Sequence, residues 1–169
     1  MHDHTAYRSG AARAASFATE PAESCHFRAM ESREIELVQK TFARAVKIGP
    51  HVAATFYSEL FAIEPAARAL FKGDMVVQGE KLMSMLSHIV TSLANLEAML
   101  PTARELAVRH VTYGVEARHY VIVGTALLRT LRHELGPELT PEARAAWASA
   151  YQALSDAMCE AAYGASRAA

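Results

Sequence analysis

The sequence predicts an all-α protein, and three observations carry that expectation. Apolar residues recur at helical spacing along most of the chain, as in Ile35, Val38, Phe42 and Val46. Helix stops and starts stand between these runs: Gly49-Pro50, Glu64-Pro65, Gly114, Gly136-Pro137 and Thr140-Pro141. No stretch has the β-branched alternation, bounded by turns, that marks a strand.

Taken in order, residues 1–29 have neither period and are expected to form a mobile tail in which His2 and His4 are solvated. Met30 stands where the periodic sequence begins and is a candidate start codon. The first helix opens near Ser32 and stops at Gly49-Pro50. A second carries Val52, Phe56, Tyr57, Leu60 and Phe61, and ends before Pro65 because the residue preceding proline avoids the α region. Pro65 opens a short helical turn to Leu70, and Phe71 leads into a corner where Asp74 can cap the next helix.

The long helix expected over 75–95 carries Gln78, Leu82, Met85, Leu86, Ile89 and Leu93 on one stripe, with Gln78 its polar exception. Pro101, suited to a first turn, and Gly114, suited to a stop, predict a shorter helix carrying His110. A helix over 117–135 buries Tyr120, Val123, Leu127, Leu128 and Leu131. The last starts at Thr140-Pro141 and runs through Trp147, Tyr151, Leu154 and Met158. The expected whole is a single domain over 30–163 of about seven helices, with 164–169 as a C-terminal tail.

Composition excludes several function classes. A chain of 169 residues that is 51% hydrophobic can bury one substantial core. With 17 basic and 18 acidic side chains and no concentrated basic stripe, nucleic acid is not an expected partner. No apolar run approaches the roughly 18 to 20 residues that span a bilayer, and no secretory signal opens the chain, so no membrane partner and a cytoplasmic location are expected.

His110 is the residue around which chemistry is expected. Ala103, Leu106 and Ala107 share its helical face, so the imidazole points inward among small apolar groups. Two readings are open from spacing alone: a core histidine satisfied by a backbone carbonyl, or a metal ligand. His88 is ten residues beyond Gln78 on the long helix, roughly 15 Å along its axis, too far to serve the same metal. His51 and His133 lie near helix ends and read as surface residues, and His119 follows the Gly114 break.

The order of parts resembles a globin over roughly residues 31 to 163. It is most similar to the single-domain bacterial haemoglobins that resemble the haem domain of flavohaemoglobins. The runs that carry the likeness are Phe56-Tyr57 with Leu60-Phe61, Leu70-Phe71, Gln78 to Met83, Arg109-His110 with Tyr113-Gly114-Val115, His119-Tyr120 with Val123-Gly124, and Ala146-Trp147 with Tyr151. The resemblance implies a globin fold around a haem pocket, with His110 as the proximal ligand of the haem iron and Phe71 packed on the porphyrin. It makes Tyr57 and Gln78 the distal hydrogen-bonding pair and places Leu82 as the aliphatic restriction one turn after Gln78. Lys81 would reach a propionate, Tyr120 would lie near the proximal histidine, and His119 is a further candidate for propionate contact. Cys25 and Cys159 form no Cys-x-x-Cys-His attachment signature, so the cofactor expected is a non-covalent haem b.

A phenol and an amide above an open iron position would donate to a bound diatomic ligand, each slowing its dissociation roughly 10- to 100-fold if worth about 1.5 to 3 kcal/mol. The resemblance therefore implies reversible, high-affinity oxygen binding, with O2, NO and CO as ligands. It leaves enzyme status open: nitric oxide dioxygenation would need a separate NAD(P)H-dependent reductase, since no flavin or nicotinamide domain accompanies the helices. A haem-based gas sensor acting through a partner protein is the alternative. One departure matters: the glutamate that this group places near the proximal histidine is replaced here by Ala162, and Glu160 is about 200° away around the helix. Without that carboxylate the imidazole is a weaker donor, which argues against peroxidase-like chemistry and leaves reversible binding intact.

Overall fold

A computed structural model describes residues 30–164, and the expectations for the two terminal tails, including His2, His4 and Cys25, lie outside these residues. Six α-helices and three short 3-10 turns make up the described chain, close to the seven helices expected, and no strand occurs among the described residues. The elements are α1 (Ser32–Ile48), α2 (Pro50–Ile63), a 3-10 turn over Pro65–Leu70, α3 (Met75–Ser92), a turn over Leu93–Asn95, α4 (Leu96–Thr112), α5 (Ala117–Leu135), a turn over Gly136–Glu138, and α6 (Pro141–Tyr163).

The boundaries follow the local chemistry. The Asp74 carboxylate accepts from the backbone N–H groups of Val76 and Val77 at the start of α3, and Thr140 Oγ1 accepts from Ala143 at the start of α6. Gly114, at φ 85°, takes the left-handed conformation that lets the chain turn sharply after α4.

Pro101 departs from expectation, standing inside α4 rather than in its first turn. It cannot donate to the Glu97 carbonyl. Leu96 and Met99, both buried, hold the extra turn in place by packing. Val46 and Met85 also leave their expected apolar stripes, at 49% and 39% exposed.

Packing divides into two apolar clusters. The larger joins α1, α2, α3, α5 and α6 around Val38, Phe42, Phe56, Leu127, Leu131 and Trp147. Within it the Trp147 indole N–H donates to Thr41 Oγ1 at 2.9 Å, and that hydroxyl donates to the Leu37 carbonyl, so α6 is locked to α1 by a buried polar relay. The smaller cluster packs α4 on α6 and the start of α5 through Ala103, Ala107, Tyr120 and Met158. Helix α3 keeps only Gly79 and Val90 fully buried, and its apolar Leu82, Leu86 and Ile89 are half-buried.

Where α5 and α6 meet, a Cβ at Gly124 would lie 2.5 Å from the Tyr151 ring, and Tyr151 is pinned by its hydroxyl donating to the Tyr120 carbonyl at 2.6 Å. Gly124→Ala is therefore expected to destabilise the protein by up to about 2 kcal/mol in denaturant titration. The overpacking strain of about 1 to 3 kcal/mol exceeds the gain of about 1 kcal/mol in helix propensity.

Candidate functional site

His110 occupies the last turn of α4 and is half-buried. Its Nδ1 lies 2.8 Å from the Leu106 carbonyl oxygen, one turn earlier. A carbonyl only accepts, so Nδ1 carries the proton, and in the neutral ring the lone pair is on Nε2. The two readings left open by the spacing are thus compatible: the backbone satisfies one nitrogen and frees the other.

The chain folds tightly after this residue. The Tyr113 N–H and the Val115 N–H both donate to the His110 carbonyl, and the Tyr163 hydroxyl of α6 donates to the Val115 carbonyl at 2.6 Å.

Tyr120, on the first turn of α5, stands beside His110 with ring centroids 6.4 Å apart. It is buried, and its hydroxyl has no hydrogen-bond partner among the described residues. Burial, followed by the neighbouring Tyr163 and Cys159, pushes its pKa up from the usual 10.0 to about 12. Ala162, where the resemblance expects a carboxylate, packs instead as an apolar member of the same cluster.

On the other side, Tyr57 of α2 is buried, and burial raises its phenol pKa, keeping it a donor. Its hydroxyl donates to the backbone carbonyl of Gln78 at 3.2 Å, not to the Gln78 side chain. The Gln78 amide nitrogen lies against Gly73 at the preceding corner. Tyr57 and Phe71 meet edge to face at 5.2 Å between centroids, and Phe61 contacts both rings. Leu82 is half-buried against the larger cluster, and Lys81 is exposed.

Two contacts draw the two sides together. Leu70 Cδ2 would be 3.5 Å from a Cβ placed on Gly114, so the Phe71 corner abuts the turn after His110. Arg118 bridges Glu64 at 2.7 Å and Glu116 at 2.8 Å, tying the end of α2 to the start of α5.

His119 has a structural role at the start of α5. It is buried, and its Nδ1 accepts from the Glu116 backbone N–H at 2.9 Å as half of a capping box on α5. His51, His88 and His133 are exposed.

Sequence reasoning missed Tyr163 and the orphaned Tyr120 hydroxyl. An aromatic residue at the end of the last helix was the one available signal for Tyr163, and no spacing rule reports whether a phenol finds an acceptor. Among the described residues, no group of three or more His, Cys, Asp and Glu converges on a metal-sized site. Among the same residues no helix is long and apolar enough to cross a membrane.

The raised Tyr120 pKa sets a pH window. The unfolded phenol ionises near 10.0 and the folded one near 12, so the unfolded state loses its proton first and stability falls as pH rises through that interval. Tyr120→Phe removes an unsatisfied buried hydroxyl. The variant is expected to match or exceed the parent in thermal midpoint at neutral pH and to show a shallower loss between pH 10 and 12. An equally steep loss in the variant would assign the window to other tyrosines.

The globin family profile matches residues 54–158. A flavohaemoprotein of Bordetella parapertussis is 31% identical over 131 residues, 75% of this chain and 33% of that protein. One from Bacillus cereus is 29% identical over 131 residues, 76% of this chain and 32% of the other. The chain thus spans about a third of the length of these relatives. An engineered carbene transferase of Rhodothermus marinus, named as a candidate nitric oxide dioxygenase, superposes with a TM-score of 0.71 at 27% identity, covering 82% of this chain and 97% of that one. A bacterial globin of Campylobacter jejuni superposes at 0.66 and 24% identity, covering 80% and 98%, a likeness of fold. On the extent of the profile match and the shared fold, the chain belongs to the globin family, and its flavohaemoprotein relatives imply haem binding.

Proposed function

We propose that the protein binds O2 reversibly and with high affinity through a non-covalent haem b, with His110 as the proximal ligand. The observation that supports this reading is the fixed tautomer of His110: the Leu106 carbonyl takes the Nδ1 proton, leaving the Nε2 lone pair available to a metal. The surroundings fit an apolar planar group. Leu82 and Leu86, half-buried beside the larger cluster, and Leu106, half-buried beside the smaller, would offer it apolar contacts, and the edge-to-face Tyr57–Phe71 pair an aromatic wall. In this reading Phe71 and Leu82 contact the macrocycle, Lys81 meets a propionate, and Tyr120 braces the proximal imidazole. When bound, haem supplies an iron with one open position for O2, NO or CO.

The chain's own groups set the rest. Tyr57 holds a neutral phenol whose acceptor is a backbone carbonyl at 3.2 Å, a long bond for a hydroxyl donor, so the hydroxyl can turn to a ligand at little cost. Gln78 would swing its amide from Gly73 to add a second donor. On the proximal side the imidazole has a carbonyl, not a carboxylate, as partner; this keeps its donor strength modest and favours reversible binding over oxygen activation. As an enzymatic use we propose nitric oxide dioxygenation, in which NO and O2 give nitrate and a separate NAD(P)H-dependent reductase returns one electron per turnover.

Optical spectroscopy of the haem-reconstituted protein tests the ligand. The parent is expected to give a sharp Soret band and a stable oxygenated form, and His110→Gly to lose both until imidazole is added. An unchanged variant spectrum would remove His110 from the site. Stopped-flow O2 dissociation tests the distal side: Tyr57→Phe is expected to accelerate it roughly 10-fold or more, in line with loss of a hydrogen bond to a charged acceptor.

A further inference from the structure

A cavity of about 530 Å³ opens between α5 and α6, a size suited to a small molecule. Of the residues assigned to haem or gas, only Tyr120 forms part of its wall. Three phenols line it, and two of them are engaged: the Tyr151 hydroxyl donates to the Tyr120 carbonyl and the Tyr163 hydroxyl to the Val115 carbonyl, each at 2.6 Å. Tyr120 is the third, 6% exposed, and its hydroxyl has no partner among the described residues. A buried hydroxyl left unmatched carries its full desolvation cost, which a ligand offering an acceptor would recover.

Cys159 lines the same cavity, half-buried, one helical turn before Tyr163 and packed against the cluster that contains Tyr120. Burial is the largest cause of the raised pKa of each phenol, and the charge its sulfur can carry is a further cause for all three, so the sulfur stands close to each. The wall offers little to a charged ligand. Arg118 is held by Glu64 and Glu116, and the Asp156 carboxylate accepts from Gln152 at 2.8 Å, so an anion would meet an acid without a free cation. Val121 and Leu128 add apolar area. This wall suits a neutral molecule that carries a carbonyl acceptor.

We propose that the cavity is a covalent site for a small neutral α,β-unsaturated carbonyl compound, in which Tyr120 donates to the carbonyl oxygen and Cys159 adds to the β-carbon. In that addition a sulfur–carbon bond forms as the carbon–carbon π bond opens. The electron pair passes through the α-carbon onto the carbonyl oxygen, where negative charge develops beside the Tyr120 hydroxyl. The proton lost by the thiol returns through water to the α-carbon, so atoms and electrons balance with no oxidant and no further reactant. Cys159 is the nucleophile, and the phenol stabilises the charge it creates.

The test is incubation of the purified full chain, haem loaded, with cyclohexenone, while mass spectrometry of the digested protein counts the adduct on the peptide that carries Cys159. An adduct there is expected, formed at a rate that saturates with cyclohexenone and that unreactive cyclohexanone slows by competition. Tyr120→Phe should slow the addition roughly 10-fold or more, as for loss of a hydrogen bond to a developing oxyanion, and leave the reaction of Cys159 with a neutral pyridyl disulfide unchanged. Thr125→Trp, which adds bulk to the wall from an exposed position, should slow the addition too, and Cys159→Ser should lose the adduct. Circular dichroism confirms that each variant is folded. No adduct on Cys159 would overturn the proposal. A rate that rises linearly, untouched by cyclohexanone or by Thr125→Trp, would make Cys159 an ordinary thiol without a binding site. Equal slowing of the enone and disulfide reactions in Tyr120→Phe would reduce Tyr120 to a packing residue and remove its hydroxyl from the chemistry.

Discussion

The packing of α4 on α6 is the constraint on which the rest of the site depends. Ala103 and Ala107 are small enough for α4 to settle closely against Met158 and Tyr120, and this fixes the height and rotation at which His110 stands. A larger residue at either alanine would push the helix, and with it the imidazole, away from its place. The Leu106 carbonyl then sets the ring's orientation, because it admits only a donor at Nδ1. The Tyr163–Val115 hydrogen bond holds the turn after α4. Backbone geometry, close packing and one hydrogen bond together specify which nitrogen is available.

The opposite side is built on aromatic contact instead of small residues. Tyr57, Phe61 and Phe71 form a mutually touching group that joins α2 to the corner before α3. Their rings bury apolar area and leave the Tyr57 hydroxyl near α3, where it settles on the Gln78 carbonyl. The phenol and the Gln78 amide are thus neighbours without being partners. Under the function proposed above each supplies a donor to a diatomic ligand, and neither has to break a bond with the other's side chain first.

Ala162 packs as an apolar residue in the cluster beside His110's helix, where the resemblance expects a carboxylate. Among the described residues the buried Tyr120 hydroxyl has no acceptor, its pKa raised mainly by burial, and the His110 imidazole has the Leu106 carbonyl as its hydrogen-bond partner. Both effects point the same way: the surroundings of His110 on this side are apolar. Under the function proposed above, such surroundings favour binding and release over the electron push that oxygen activation demands.

Sequence by itself determined the fold class, most helix boundaries and the inward-facing position of His110 near the end of its helix. Apolar spacing, prolines, capping residues and a positive-φ glycine act within a few residues and need no knowledge of the rest of the chain; Asp74, Thr140 and Gly114 behave as local chemistry dictates. Pro101 marks the limit of such rules, since burial of Leu96 and Met99 carries α4 past it. Only the tertiary structure decided the tautomer of His110, the Gln78 carbonyl as acceptor for Tyr57, the capping role of His119 and the orphaned hydroxyl of Tyr120. It alone brought Tyr120 and Cys159 to one cavity between α5 and α6. These features depend on which atoms far apart in sequence come within a few ångströms, and helical periodicity carries the direction of a side chain but not the partner that awaits it.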